Sequence, residues 1–224
     1  MKAENDKSQA SSLAVDAYDY LVEAITSFKL PTNTAISENK LASQLGISRT
    51  PIRQALQRLE SEGLITKSDS SRFSVALVTP KQVEEACDLL QIIDTYLFTR
   101  AAKNLNKKSS DELIAITQEM IRAAKNDDRD KWSQADTKFH NLIIKAADNR
   151  MVSDLAIVTR RKIQRFWTKS AVYENRLSSC SKEHEVLARV IVKKDFEAIE
   201  PAVIDHMSHM RSSILRIIET AAVF

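Results

Sequence analysis

Residues 36–65, "ISENKLASQLGISRTPIRQALQRLESEGLI", decide how the N-terminal part of this chain folds. Ser37 precedes a short apolar-periodic run, the position from which a hydroxyl caps a helix. Gly46 ends that run. Ser48 opens a second one with Pro51 in its first turn, where a missing N–H does little harm. Ile52, Ala55, Leu56 and Leu59 recur at helical spacing and form its buried stripe, and Gly63 stops it. The whole chain has two glycines, and each closes one of these helices. "LITKSDSSRFSVALV" then reads as two short strands around a polar turn at 68–71. Helix, glycine turn, helix and two-stranded wing make a winged helix-turn-helix, whose second helix fits the major groove of DNA.

The charges lie where that reading needs them. Residues 40–72 hold six basic side chains against three acidic ones, an excess equal to the formal +3 of the whole protein. Arg49 and Arg53 share one face at the N-terminal end of the second helix, and Thr50 can reach a phosphate or a base edge. A helical hairpin with solvated arginines has the same local pattern, so spacing leaves both readings open.

Outward from this segment the chain is helical. Two glycines and four prolines in 224 residues are too few for a turn-rich strand fold. Residues 1–12 are polar and are expected to be a disordered tail. A helix with Leu21, Ala24, Ile25 and Phe28 on one face follows, and "KLPTNT" breaks it. The domain boundaries expected are 13–79 for the DNA-binding domain and 80–224 for an all-α bundle. In the bundle, "SSDELIAITQEMIRAAKN" opens on a cap box at Ser109 or Ser110, and later helices cover 128–147, 151–172, 179–193 and 196–221. Pro201 is expected to kink the last helix or delay its start. Cys87 and Cys180 are isolated and read as reduced thiols. Neither a signal peptide nor an apolar span is visible, which points to the cytoplasm and away from membranes.

The four histidines are His140, His184, His206 and His209. Asp136 stands one helical turn before His140, so the two side chains project from one face and could hold a metal with His184 and His206 from two further helices. Three imidazoles and a carboxylate suit a borderline divalent metal, zinc first, with nickel and manganese as alternatives. A plain structural Asp–His pair fits the same spacing. His209 points elsewhere on its helix and is a weaker candidate.

The 36–65 run resembles the DNA-binding domain of the GntR family of bacterial transcription regulators. It keeps that family's Ser37, Glu38, Leu41, Ala42, Leu45, Gly46, Ser48–Thr50, Pro51, Arg53, Ala55, Leu56, Leu59, Glu60 and Glu62–Leu64. The resemblance implies DNA contacts from Asn39, Lys40, Ser48, Arg49, Thr50, Arg53 and Arg72. Asn39 stands where the family often has arginine, and the wing "SDSSRF" lacks the family's glycine. Likewise "DTKFHNLIIKAADN" and "EHEVLARVIVKKDFEAIEPAVIDHM" resemble the FCD-type effector domain of the FadR and VanR branch, a bundle of six or seven helices. That resemblance implies Asp136, His140, His184 and His206 as metal ligands and a small carboxylate as effector. Ile93 and Leu97 occupy positions where many members have arginine and glutamate, so the carboxylate needs another cation. Arg161 and Arg165 offer one, although a solvated basic face explains them as well. Phe166 and Trp167 read as core or dimer-contact residues.

The function expected is that of a homodimeric, operator-binding regulator, a repressor by default, controlled by an effector and without enzymatic activity. The alternatives are a metal-dependent hydrolase at the Asp/His site and a DNA-binding protein with no effector.

Overall fold

A computed structural model describes residues 2–27, 29–69, 71–173 and 176–221, apart from the side chains of 2–11, 165, 167–173 and 220–221. The chain divides into two compact units, Met1–Val78 and Thr79–Phe224.

In the first unit, helix α1 (Lys2–Thr26) begins inside the stretch expected to be a disordered tail. Nothing in "KAENDKSQASS" breaks a helix: it has no glycine or proline, and Ala3, Glu4, Lys7, Gln9 and Ala10 are all helix formers. Ala17, Tyr18, Leu21 and Ile25 of α1 are buried against α3, whereas Phe28 lies outside the described residues. Helix α2 (Glu38–Leu45) starts at Ser37, whose hydroxyl accepts from the Lys40 N–H at 3.3 Å, and ends at Gly46 in the left-handed region, φ 66°. Helix α3 (Arg49–Ser61) buries Ile52, Ala55, Leu56 and Leu59. Ser48 has the backbone of a cap but makes no side-chain cap bond. Pro51, at the third helical position, has no N–H to offer it.

The sheet has three strands where the sequence suggested two. β1 (Ala35–Ile36), β2 (Ile65–Lys67) and β3 (Phe73–Val75) pair antiparallel in the order β1-β3-β2, with Ile36 opposite Phe73 and Ile65 opposite Val75. β1 is two residues long, too short for any alternation to show. The wing turn does without glycine because Ser71 itself adopts φ 59°. Glu62 closes the unit: it accepts a hydrogen bond from the Tyr18 hydroxyl and pairs with Arg58 at 3.1 Å, while the Arg58 guanidinium lies 3.8 Å over the Tyr18 ring.

The second unit contains α4 (Pro80–Asn104), α5 (Lys107–Lys125), α6 (Arg129–Ala147), α7 (Arg150–Tyr173), α8 (Leu177–Lys193) and α9 (Phe196–Ala221). Thr79 and Gln82 form a capping box before α4. Asn106, with Ser109 as its partner, caps α5, so the cap lies three residues ahead of the expected serine. Pro201 does not delay α9, which starts at Phe196 and continues through it. α4 packs on α6, α7 and α9; α5 packs on α6 and α8; α8 packs on α9. The buried Trp132 indole donates to Ser181 Oγ at 2.9 Å and ties α6 to α8.

Among the described residues, five non-glycine positions adopt positive φ, including Asp148 after α6 and Lys194 after α8. Lys194 closes α8 at φ 57° and is exposed, so its side chain contributes strain without burial. Lys194→Gly is expected to stabilise the protein by about 1 kcal/mol in chemical denaturation. An unchanged or lower midpoint would mean that the lysine makes an offsetting interaction.

Candidate DNA-reading surface and metal centre

In the first unit the expected DNA-contacting residues are all solvent-facing. Asn39 and Lys40 lie in the first turn of α2, Ser48, Arg49, Thr50 and Arg53 at the start of α3, and Arg72 beside β3. Arg49 and Arg53 converge on Glu38 of α2, whose Oε2 is 3.5 Å from Arg49 Nη2 and 3.2 Å from Arg53 Nη2. The sequence reading had Glu38 only as a retained motif residue. Here it holds both guanidinium groups at the N-terminal end of α3, where helix N–H groups also favour an anion such as phosphate.

In the second unit three helices bring the sequence-predicted residues into two groups that share His184: ligand atoms of Asp136, His140 and His184 lie within 4.8 Å of one another, and so do those of Cys180, His184 and His206. Asp136 and His140 face inward from successive turns of α6, His184 from the middle of α8, and His206 from α9. The His140, His184 and His206 rings are buried, and Asp136 is half-buried. Asp136 Oδ1 lies 3.2 Å from His184 Nε2 and 3.8 Å from His140 Nε2. The His184 ring centroid is 5.5 Å from that of His140 and 4.6 Å from that of His206.

The hydrogen bonds of His184 determine what this cluster can hold. Its Nδ1 donates to the Cys180 carbonyl at 2.9 Å, a residue one turn back on α8. The ring's other nitrogen, Nε2, lies 3.2 Å from Asp136 Oδ1. That nitrogen is fully buried and has no hydrogen-bond partner among the described residues. A buried ring nitrogen left without a hydrogen bond 3.2 Å from a carboxylate oxygen is unfavourable unless a cation binds both. The donor set therefore fits a divalent metal bound by nitrogen and oxygen. Glu183 orients a second ring of the cluster: its Oε2 accepts from His206 Nδ1 at 2.8 Å and leaves that ring's other nitrogen pointing away from Glu183. Arg176 grips Glu183 Oε1 at 2.8 Å, and His209 Nδ1 is 3.1 Å from the same oxygen. His209 thus stands outside the cluster, beside the residue that supports it. The Cys180 thiol is 3.5 Å from His184 Nδ1, and burial pushes it well above the ordinary thiol range.

Burial lowers the His140 ring well below the usual histidine range, the Arg160 charge adding to it and Asp136 opposing it. Burial also lowers His206 despite the Glu183 hydrogen bond. Both rings are neutral near pH 7. At Asp136 burial acts to raise the carboxyl, but His184, His140 and Arg160 together outweigh it and hold it well below the ordinary carboxylate range.

A cavity of about 220 Å³ opens onto Asp136, His140 and His206 and is walled by residues of α6, α7 and α9. Arg161, expected to bind effector, is part of its wall, and the Arg165 side chain lies outside the described residues. The wall also includes Arg160, a residue to which the sequence assigns no role. Arg160 pairs with the buried Asp94 of α4 at 2.7 Å. Ile93 and Leu97 are buried, so no cation stands at either position. No sequence signal joins Asp94 to a residue 66 positions later, because the pairing exists only across packed helices.

The titrations give a pH dependence with a definite sign. His140 and His206 titrate lower in the folded chain than in the unfolded one, so below about pH 6.5 the unfolded state binds more protons. Their contribution is complete above that pH and is lost as pH falls towards their folded values. Thermal midpoints with chelator present should fall between pH 7.5 and 5.5, and metal-loaded protein should fall further because protons compete for the ligands. A midpoint that rises on acidification would contradict this.

Comparison with known proteins agrees with both halves. Residues 13–75 match the gntR family of bacterial regulatory proteins, and residues 85–209 match the FCD domain. An HTH-type transcriptional regulator, YdhC of Bacillus subtilis (strain 168), is 24% identical over 90% of this chain and 91% of its own length. The gluconate operon transcriptional repressor of the same organism is 30% identical over 65% of this chain, and the alignment covers 59% of that protein. E. coli McbR/YncC shares the fold with a TM-score of 0.82 at 18% identity, covering 92% of this chain and 98% of that structure. The two matched families and these relatives are transcription regulators and not enzymes, which removes the hydrolase alternative. The chain belongs to the gntR family of bacterial transcription regulators, with a helix-turn-helix DNA-binding domain followed by an FCD domain.

Proposed function

We propose that this regulator is a repressor whose operator binding is controlled by a small carboxylate bound at a divalent metal, zinc first, held by Asp136, His140, His184 and His206. The observation that carries the reading is the buried His184 Nε2, without a hydrogen bond among the described residues and 3.2 Å from Asp136 Oδ1. A carboxylate entering the adjoining cavity would reach the metal's open positions, with Arg160 and Arg161 on the wall. Repression is supported by a relative that represses a gluconate operon and by another, RspR of Escherichia coli (strain K12), named as a transcriptional repressor. The proposed DNA contacts are Asn39, Lys40, Ser48, Arg49, Thr50, Arg53 and Arg72, with Glu38 placing the two α3 arginines. Ligand and operator affinities are then linked reciprocally. No helix among the described residues is long and apolar enough to cross a membrane, and we place the protein in the cytoplasm.

Zinc-loaded protein should bind DNA from its own promoter region in preference to random DNA at moderate salt. Arg53→Ala should weaken that binding about tenfold or more. His184→Ala should lose zinc, by elemental analysis, while keeping its DNA preference. Retention of zinc by His184→Ala would sink the metal assignment, and binding without sequence preference would sink the operator reading.

We further propose a homodimer formed through α4 and α7. Ile92 is 70% exposed and lies with Leu89 and Tyr96 on one side of α4, and Met151, 84% exposed, lies with Leu155 on α7. The Asn149 amide donates to the Tyr96 hydroxyl at 2.8 Å, tying the start of α7 to that side of α4. Two copies would present two recognition helices to a two-fold operator. Ile92→Glu should shift sedimentation from dimer to monomer at micromolar concentration, and a dimer unaffected by Ile92→Glu and Met151→Glu together would place the interface elsewhere.

A further inference from the structure

The two ligand groups that share His184 differ in the atoms they offer. Asp136, His140 and His184 present oxygen and nitrogen, whereas Cys180, His184 and His206 present sulfur and nitrogen. Every member of the second group is buried. Cys180 stands one turn before His184 on α8, as Asp136 stands one turn before His140 on α6, so each helix supplies a pair on one face. His206 comes to the second group from α9.

The spacing inside the second group suits a metal. Cys180 Sγ lies 3.5 Å from His184 Nδ1. A tetrahedral ion with bonds of ~2.0 Å to nitrogen and ~2.3 Å to sulfur holds those two atoms about 3.5 Å apart. A thiol hydrogen bond to the ring has a similar length, so the pair needs a third donor to become a site. His206 is that donor: its ring centroid is 4.6 Å from that of His184, and Glu183 holds its Nδ1 at 2.8 Å. The cavity reaches His206, which gives an ion a way in.

His184 cannot serve both groups at once. A neutral imidazole carries one proton and has one nitrogen to give a metal. With the proton at Nδ1, on the Cys180 carbonyl, Nε2 is the ligand and the ion lies with Asp136. With the proton at Nε2, 3.2 Å from the Asp136 carboxylate, Nδ1 is the ligand and the ion lies with Cys180.

We propose that Cys180, His184 and His206 form a second cation site, selective for thiophilic metals such as cadmium, and that the shared His184 makes it an alternative to the Asp136 site. Sulfur favours soft ions and carboxylate oxygen harder ones, so the identity of the ion decides which group closes on it. On ligation the ion takes the place of the Cys180 thiol proton, which passes to solvent. The inference goes beyond the Asp136-centred reading and borrows His184 and His206 from it.

The test is titration of the metal-free full chain with cadmium, followed by the ultraviolet charge-transfer absorption of a cadmium–thiolate bond. Wild type should develop that absorption and reach its end point at one cadmium per chain. Cys180→Ser should lose it and bind cadmium about tenfold more weakly or worse, while Cys87→Ser should keep it. Cys180→Ala is read in the same way if the serine variant does not fold. Manganese, which prefers oxygen, should bind wild type and Cys180→Ser alike and Asp136→Asn about tenfold more weakly. Cadmium added to manganese-loaded protein should release the manganese. Bound cadmium without the absorption, or an absorption that survives the loss of Cys180, overturns the proposal, and retention of both ions together overturns the shared use of His184. Manganese binding with no cadmium absorption would leave the Asp136 site standing alone; the absorption without manganese binding would sink that site and leave this one.

Discussion

The second unit is organised around one close meeting, His184 Nε2 against the carboxylate of Asp136 at 3.2 Å inside a helical bundle. A bundle core rewards apolar contact and penalises a polar atom left without a partner. Every other feature of the site keeps that meeting in place. The Cys180 carbonyl fixes the His184 tautomer, Glu183 fixes the orientation of His206, and Arg176 fixes Glu183. Phe139 packs edge-on against His184 at 4.8 Å and His140 at 5.4 Å, so the rings have little room to turn away. Such support is far more than a simple Asp–His pair needs, and it would serve the proposed metal.

The same logic recurs at other buried charges among the described residues. Asp94 is answered by Arg160 from α7, and Glu183 by Arg176 at the start of α8. In the DNA-binding unit Glu62 is answered by Arg58 and Tyr18, and the less buried Glu38 by Arg49 and Arg53. The buried pairs cost desolvation and return orientation. At Glu38 the arrangement is exposed and adds little stability, but it holds two long side chains where a groove would meet them.

Much of this was legible in the residues. Ser37, Gly46 and Gly63 act locally, so a capping hydroxyl and two left-handed turns could be read without knowing anything distant. The helical spacing of Asp136 and His140 is equally local. Convergence of His184 and His206 on them was not local, and it could be expected only because the segments around all four resemble a known domain. Other features were not legible at all. β1 is too short to show a pattern, the α5 cap sits at Asn106 because Ser109 serves as its reciprocal partner, and α1 extends through a stretch whose polarity suggested a tail.

Sequence alone determined the class of protein: a glycine-punctuated pair of helices with a wing, then a helical domain with one aspartate and three histidines at helical spacings. These features depend on backbone preferences and periodicity, which act within a few residues. Tertiary structure alone decided the electrostatics of the cavity. Arg160, which looks like one of a run of solvated bases, is turned inward by Asp94, while Ile93 and Leu97 leave α4 without a cation of its own there. The reason is physical: the field inside a bundle is set by which buried charges lie side by side, and helices from distant parts of the chain settle that only when they pack.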